Sequence, residues 1–451
     1  MQSEIRGVMK DRELELGPNP GPTPGLDHWR YAKDDEGIGW LIIDRKGSSA
    51  NTLSEAVINE LDLVLGLIEK DQPKGLVIRS SKPSGFIAGA DVSEFAGATD
   101  EAAVESRIGR AHQVIDRLEA LPFITVAVAH GFCLGGGLEV ALACKRRIAV
   151  EGASFGFPEV MLGLHPGLGG TARTPRLISP LQAMTMMLTG KSLDARRAKA
   201  AGLVDAVTEE RHVRNAVRAA ISGDLKAARP SMMVSLLSNS LARRLLAARM
   251  RTEARKSADP AQYPAPFALI DLWEKDGGNR AAMLAGEIKS FAHLIVSDTA
   301  QNLIRVFFLR DRLKKIAGEK QDIRHIHVIG AGAMGGDIAA WCAREGIAAT
   351  VSDMKPEPIA GAIKRAADLY GKILRKSIDQ RDALDRLIPD LKGEGVGVAD
   401  IVIEAVPEKL EIKHKVYATI EPQMKAGAIL ATNTSSIPLE QLRDGLKKPE
   451  R

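Results

Sequence analysis

Cysteine is scarce in this sequence: Cys133, Cys144 and Cys342 stand far apart, with no CxxC and no zinc-ligand spacing. That excludes a disulfide scaffold and a cysteine-built metal centre, and it fits a reducing compartment. Aromatic residues make up only 4%, and no basic stripe is interleaved with them, which argues against a nucleic-acid partner. No run approaches the roughly 20 apolar residues that span a bilayer. The N-terminus mixes Arg6, Lys10 and Arg12 with Glu4, Asp11 and Glu13 and has no apolar signal segment. The expectation is a cytoplasmic protein with no integral membrane segment and no metal.

What is present points to a multidomain α/β protein. At 451 residues and 45% hydrophobic content the chain exceeds one ordinary core. Its 42 glycines and few aromatics favour α/β over all-β architecture. The net charge of +5 is dispersed, with short runs at Lys145-Arg146-Arg147 and Lys447-Lys448, and suits a small anionic ligand.

Four stretches follow from composition and periodicity. Residues 1–25 end in the proline- and glycine-rich Gly17 to Gly25 and read as a mobile tail. Between 26 and 210, strand-like runs (Gly39 to Asp44, Gly75 to Arg79, Ile124 to Ala129) alternate with helical patterns (Ser54 to Lys70, Glu101 to Leu121, Leu181 to Thr189). Strand signals nearly vanish over 211–318, a helical connector broken at Pro230, Asp259-Pro260 and Pro264-Ala265-Pro266. The methionines Met184, Met186, Met187, Met232 and Met233 read as gap-filling core. A fresh α/β unit begins near 319 with Ile323 to Ile329.

Two glutamates carry the chemical signal. Glu139 follows Gly135-Gly136-Gly137 where a strand-like run meets a helix, and Glu159 lies in Gly156-Phe157-Pro158-Glu159. Carboxyl groups converging on one water let one act as base while the other donates a proton. The small residues of Ser84 to Asp91 and of Gly131 to Glu139 form two turns, each able to present a backbone N–H to a thioester oxygen. His130 and His165 read as loop residues without a catalytic role.

On these motifs residues 30–205 resemble the crotonase (enoyl-CoA hydratase/isomerase) family, with its ββα spiral fold. The resemblance implies oxyanion donors at the N–H groups of Ala90 and Gly136 and catalytic carboxyls at Glu139 and Glu159. Ala50-Asn51-Thr52-Leu53, Gly163 to Thr171 and Ala200 to Asp205 match its supporting phrases. Glutamate at both positions implies hydration of a trans-2-enoyl-CoA, with coenzyme A as part of the substrate. Two alternatives stay open: a Δ3-Δ2-enoyl-CoA isomerase, and a non-catalytic CoA- and NAD-binding module acting through a partner.

A second signal is Gly330-Ala331-Gly332-Ala333-Met334-Gly335, placed after a strand-like run and before a helix, with Asp353 ending the next strand-like run. This is the context of a dinucleotide-binding βαβ unit, and an acid at 353 favours NAD over NADP. Together with Asp400 to Glu408 and Ala431 to Pro438, it resembles the NAD-binding half of L-3-hydroxyacyl-CoA dehydrogenase over 322–451. The resemblance places Gly330, Gly332, Met334, Gly335, Asp353, Glu408 and Lys413 near the cofactor, and Asn433 and Ser435 near nicotinamide and substrate hydroxyl. That family's catalytic histidine and the glutamate orienting it would fall beyond Arg451. The expectation is therefore an incomplete, C-terminally truncated Rossmann domain that dehydrogenates poorly or not at all. The order of the parts resembles the α subunits of fatty-acid β-oxidation complexes, which implies a thiolase β subunit as partner.

Overall fold

The computed structural model describes residues 13–18, 21–228, 239–316, 322–374 and 376–451. Pro230, Met232, Met233 and most of the expected tail before residue 21 lie outside them. The chain divides into two compact units, Met1–Ile316 and Ala317–Arg451.

In the first unit a six-stranded sheet runs β1-β2-β3-β5-β7-β10, with β1 (Trp29–Lys33) antiparallel to β2 (Ile38–Ile43) and the other pairings parallel. Its centre is β3 (Gly75–Ser80), β5 (Ile124–Ala129) and β7 (Arg146–Val150), with β10 (Ala206–Thr208) at the edge. Every residue of β2 and β3 is buried, because helices cover both faces of a parallel sheet. The two-residue period sorts the side chains: Leu41, Ile43, Leu76, Ile78 and Ala127 face one core. Trp40, Ile42, Val77, Val126 and Val128 face a second core closed by Val213 and Val217.

The helix Glu55–Asp71 starts at Ser54, whose Oγ accepts from Val57 N–H, and buries Val57, Leu61, Leu65 and Ile68 at helical spacing. Asp100 caps the helix Glu101–Ala120 in the same way. Met184, Met186 and Met187 fill the core as expected. Asp205 accepts from Arg147 N–H at 2.7 Å and pins β7 to the strand that follows.

A second, smaller sheet has the order β4-β6-β8-β9 (Gly85–Ile87, Phe132–Leu134, Ser154–Gly156 and Leu193–Asp194). Strands of two or three residues carry no readable period, which is why the sequence alone misses them. Part of the expected tail is corrected. Leu16 packs against the Trp40 core and Glu15 N–H donates to Glu210 at 2.7 Å, so apolar contact and a hydrogen bond lay residues 15–17 on the unit.

The second unit is a five-stranded, all-parallel sheet in the order β13-β12-β11-β14-β15. Its central strand is β11 (His325–Ile329), flanked by β12 (Ala348–Ser352) and β14 (Ile401–Glu404), with β13 (Leu387–Pro389) and β15 (Ile429–Thr432) outside them. The strand order reverses direction at β11 and β14, where such sheets bind ligands beyond the carboxyl ends of their strands. Among the described residues no helix is long and apolar enough to cross a membrane.

The helix Gly136–Ala143 packs so closely on β4 that a Cβ at Gly137 would lie 2.4 Å from Ile87 O. Gly137→Ala is expected to destabilise the first unit by about 1–3 kcal/mol through overpacking, measured as a lower urea midpoint for that unit's transition.

Candidate active site

Two backbone N–H groups come together at the start of the helix Gly136–Ala143. Leu53 N–H donates to Gly89 O and Leu53 O accepts from Asp91 N–H, both at 2.9 Å, so the N–H of Ala90 between them points away from that pairing. Gly136 opens its helix, where first-turn N–H groups have no helical partner, and its Cβ position is 3.7 Å from Ala90 N. Asp91 locks the turn by pairing with Arg45 at 2.5 Å and by capping Ser93 N–H. Buried Asn51 ties it to the sheet, donating to Ser80 Oγ at 2.8 Å and accepting from Arg45 N–H at 2.8 Å.

Beside them stand the two carboxyls. Glu139, 1% exposed, accepts at Oε1 from Leu168 N–H and Gly170 N–H, each at 2.7 Å. Burial, and then the charge of Glu287, push its carboxyl up to about 7. Glu159 sits in the turn Pro158–Leu162, and its buried Oε2 has no partner among the described residues. Burial and the charge of Glu139 hold it well above the ordinary carboxylate range. A Cβ at Gly135 would lie 2.8 Å from Glu159 Oε1, so glycine there leaves room for the second carboxyl.

All four groups line a cavity of about 360 Å³ whose walls include Phe95, Ile108, Leu164, Phe291, Ile295 and Ile304. Three of those apolar residues come from the 211–318 stretch, so its helices do more than connect: Arg280–Ile295 and Asp298–Ile316 help to wall the site.

In the second unit, Gly330 has φ +100° and a Cβ there would meet Ala405 O at 2.6 Å. A Cβ at Gly335 would lie 1.8 Å from Gly330 O, whereas one at Gly332 meets nothing within 4 Å. Two close approaches form the turn and the third glycine leaves open space before the helix Ala333–Arg344, a cradle that fits a pyrophosphate. Asp353 closes β12 and accepts from Ala331 N–H at 2.8 Å. Met334 is 59% exposed on the same turn.

A family model described as enoyl-CoA hydratase/isomerase matches residues 34–259, half of the chain. The chain belongs to the enoyl-CoA hydratase/isomerase family. A second model, the NAD binding domain of 3-hydroxyacyl-CoA dehydrogenase, matches residues 325–451. The chain is similar to the fatty acid oxidation complex subunit alpha of Aliivibrio fischeri, 36% identical over 435 residues that make up 93% of this chain and 63% of that protein. The same subunit of a Psychrobacter species is 35% identical, with 92% and 60% covered. The chain thus spans less than two thirds of the length of these relatives. A solved enoyl-CoA hydratase from Rhodobacter sphaeroides shares the fold, with a TM-score of 0.51 at 23% identity over 63% of this chain and 90% of that one.

The enoyl-CoA hydratase/isomerase unit brings Ala90, Gly136, Glu139 and Glu159 to one cavity. In the dehydrogenase-like unit, Lys413 lies inside the protein, between two acids. It is fully buried, bonds both oxygens of Glu404 at 2.8 and 2.9 Å, and stands 3.3 Å from Glu408. A side chain with no exposed surface braces the turn from behind. Glu408 accepts from Thr434 Oγ1 at 2.6 Å and from the N–H groups of Ser435 and Ser436, which hold its carboxyl well below the usual range. Asn433 N–H donates to Glu404 O at 2.7 Å, so the same two acids order the turn that carries Asn433 and Ser435.

His165 is held between Pro166 O and Ser290 Oγ, and His130 bonds Lys82 O. Neither lines the cavity. Sequence reasoning missed Glu287 and His112, yet each left a trace. Glu287 interrupts the apolar stripe Met283, Leu284, Phe291, Leu294, and His112 interrupts Ile108, Ala111, Ile115, and a polar residue on a buried helical face needs a partner.

Glu159 contributes a pH dependence of stability. Its folded carboxyl binds protons more tightly than the unfolded one, so ionising it costs stability as pH rises above the unfolded value of 4.5. Glu159→Gln is expected to raise the first unit's Tm at pH 8 and to lose that advantage below about pH 4.5, measured by thermal melts across that range.

Proposed function

We propose that the first unit hydrates a 2-enoyl-CoA to the 3-hydroxyacyl-CoA. The observation that carries this reading is the second carboxyl: Glu159 Oε2 is buried with no partner among the described residues, beside a first carboxyl already held by two N–H groups. Glu139, its carboxyl pushed up to about 7 by burial and by Glu287, is the base that takes a proton from water as the oxygen bonds to the β-carbon. Glu159, whose proton burial and the charge of Glu139 hold in place, delivers it to the α-carbon. The N–H groups of Ala90 and Gly136 receive the negative charge that gathers on the thioester oxygen. The apolar wall supplied by Phe291 and Ile304 suits an acyl chain.

For the second unit we propose NAD binding. The Gly330–Gly335 turn would hold the pyrophosphate and Asp353 the ribose hydroxyls. NAD supplies a hydride acceptor when bound. The unit's histidines are engaged elsewhere: His325 with Thr350, His327 with Thr350 and Ser352, and His414 with Gln441 O. A polypeptide of these 451 residues is therefore proposed to bind NAD with little oxidation of the 3-hydroxyl, since the hydroxyl proton needs a base. This reading implies a cytoplasmic site of action and a thiolase β subunit as partner, tested by co-purification.

Hydration of trans-2-enoyl-CoA is followed by loss of the conjugated absorbance and by the mass of the product in oxygen-18 water. Glu139→Gln and Glu159→Gln are each expected to lower kcat by about 10²–10⁴-fold with KM little changed. Wild-type rates in both variants would sink the two-carboxyl mechanism, and product without solvent oxygen would identify a Δ3-Δ2 isomerase. Gly335→Ala is expected to weaken NAD binding by about ten-fold or more in a calorimetric titration while hydration stays at the wild-type rate.

A further inference from the structure

Four consecutive backbone N–H groups, Leu168 to Thr171, face two buried carboxylates in alternation. Leu168 and Gly170 donate to Glu139, while Gly169 and Thr171 donate to Glu287, the latter at 3.0 Å. The Thr171 hydroxyl also donates to Glu287. Gly169 makes the alternation possible, because its φ of +97° reverses the backbone at the start of the helix Gly170–Leu177. Glu287 is fully buried and arrives from the helix Arg280–Ile295, and His112 Nε2 stands 3.3 Å from it while donating to Gly167 O at 2.8 Å.

We infer that Glu287, backed by His112, is a positioning residue for Glu139: it grips the alternate N–H groups of the strip from which Glu139 hangs. The inference rests on the proposed role of Glu139 as base. Without Glu287, the N–H groups of Gly169 and Thr171 lose their acceptor and the strip is free to turn, which misplaces the donors to Glu139. Charge acts beside position. The charged groups facing Glu139 are Glu287, which disfavours its ionised form, and His112, which favours it, while Glu159 is the group that Glu139 in turn keeps protonated. Arg173 binds the Leu168 carbonyl from the other side, its charge met by Asp116 and Glu119 with Arg280 beside them. His165 faces Glu287 and is held neutral by burial.

The pH profile of kcat/KM for hydration decides the matter, measured on wild type, Glu287→Gln and His112→Gln beside a carbon-13 carboxyl NMR titration of Glu139. Glu287→Gln removes a negative neighbour, so the acid limb and the Glu139 titration are expected at lower pH than in wild type. His112→Gln removes a positive neighbour while Gly169 and Thr171 keep Glu287 ionised, so both are expected at higher pH. In each variant kcat falls by about ten- to a hundred-fold with KM little changed. Limbs that move the same way in both variants, or in neither, overturn the inference. Glu287→Asp keeps the charge on a shorter arm and is expected to lose kcat with the acid limb in its wild-type place. Wild-type kcat in Glu287→Asp overturns the positioning role, and this arm decides if either glutamine variant fails to fold. A wild type that does not hydrate enoyl-CoA refutes the proposed reaction, whereas the NMR titration still decides on Glu287.

Discussion

Backbone N–H groups at the start of the helix Gly170–Leu177 make it possible to bury carboxylates side by side in the first unit. A carboxylate taken out of water loses several kcal/mol of solvation, and a second one nearby adds repulsion. Here Glu139 and Glu287 recover part of that loss from donors in one strip and from the positive end of one helix. The remaining cost falls on Glu159, whose Oε2 finds no donor among the described residues. The cost is not removed by the fold but moved to the group that faces the cavity. This is the usual relation between a reactive site and the stability of the scaffold around it.

The same constraint explains why the site draws on so much of the unit. The N–H groups of Ala90 and Gly136 come from two turns that the small second sheet brings together, and the carboxyls come from a helix start and a loop. The bracing acid comes from a helix more than a hundred residues later in the chain. Each contribution is locally weak: a glycine pair, a capping aspartate, one buried asparagine. They become a site because the six-stranded sheet, buried on both faces, fixes the strand ends from which they project.

The second unit solves a different problem with the same means. The turn that carries Asn433 and Ser435 is ordered by Glu404 and Glu408, with buried Lys413 bonded between them. The glycine turn next to it depends on close backbone approach that any side chain would block. In both units buried charges hold backbone turns, and those turns present N–H groups to the space where ligands are proposed to bind.

The long, strongly periodic elements were legible in the sequence. Ile124–Ala129 forms a strand with the expected bounds, and the helix expected over Ser54 to Lys70 forms at Glu55–Asp71, because hydrophobic period and capping residues act over neighbouring positions. The family, the two glutamates and the glycine turns were legible for the same reason: close backbone approach and paired acids leave short local motifs. The three-residue strands of the second sheet were not, since so few residues carry no period. Nor were Glu287 and His112 as partners of the strip, the helical wall of the cavity, or the burial of Lys413. Those depend on which segments meet in space, and contacts between residues far apart in the chain are set by packing, which only the tertiary structure decides.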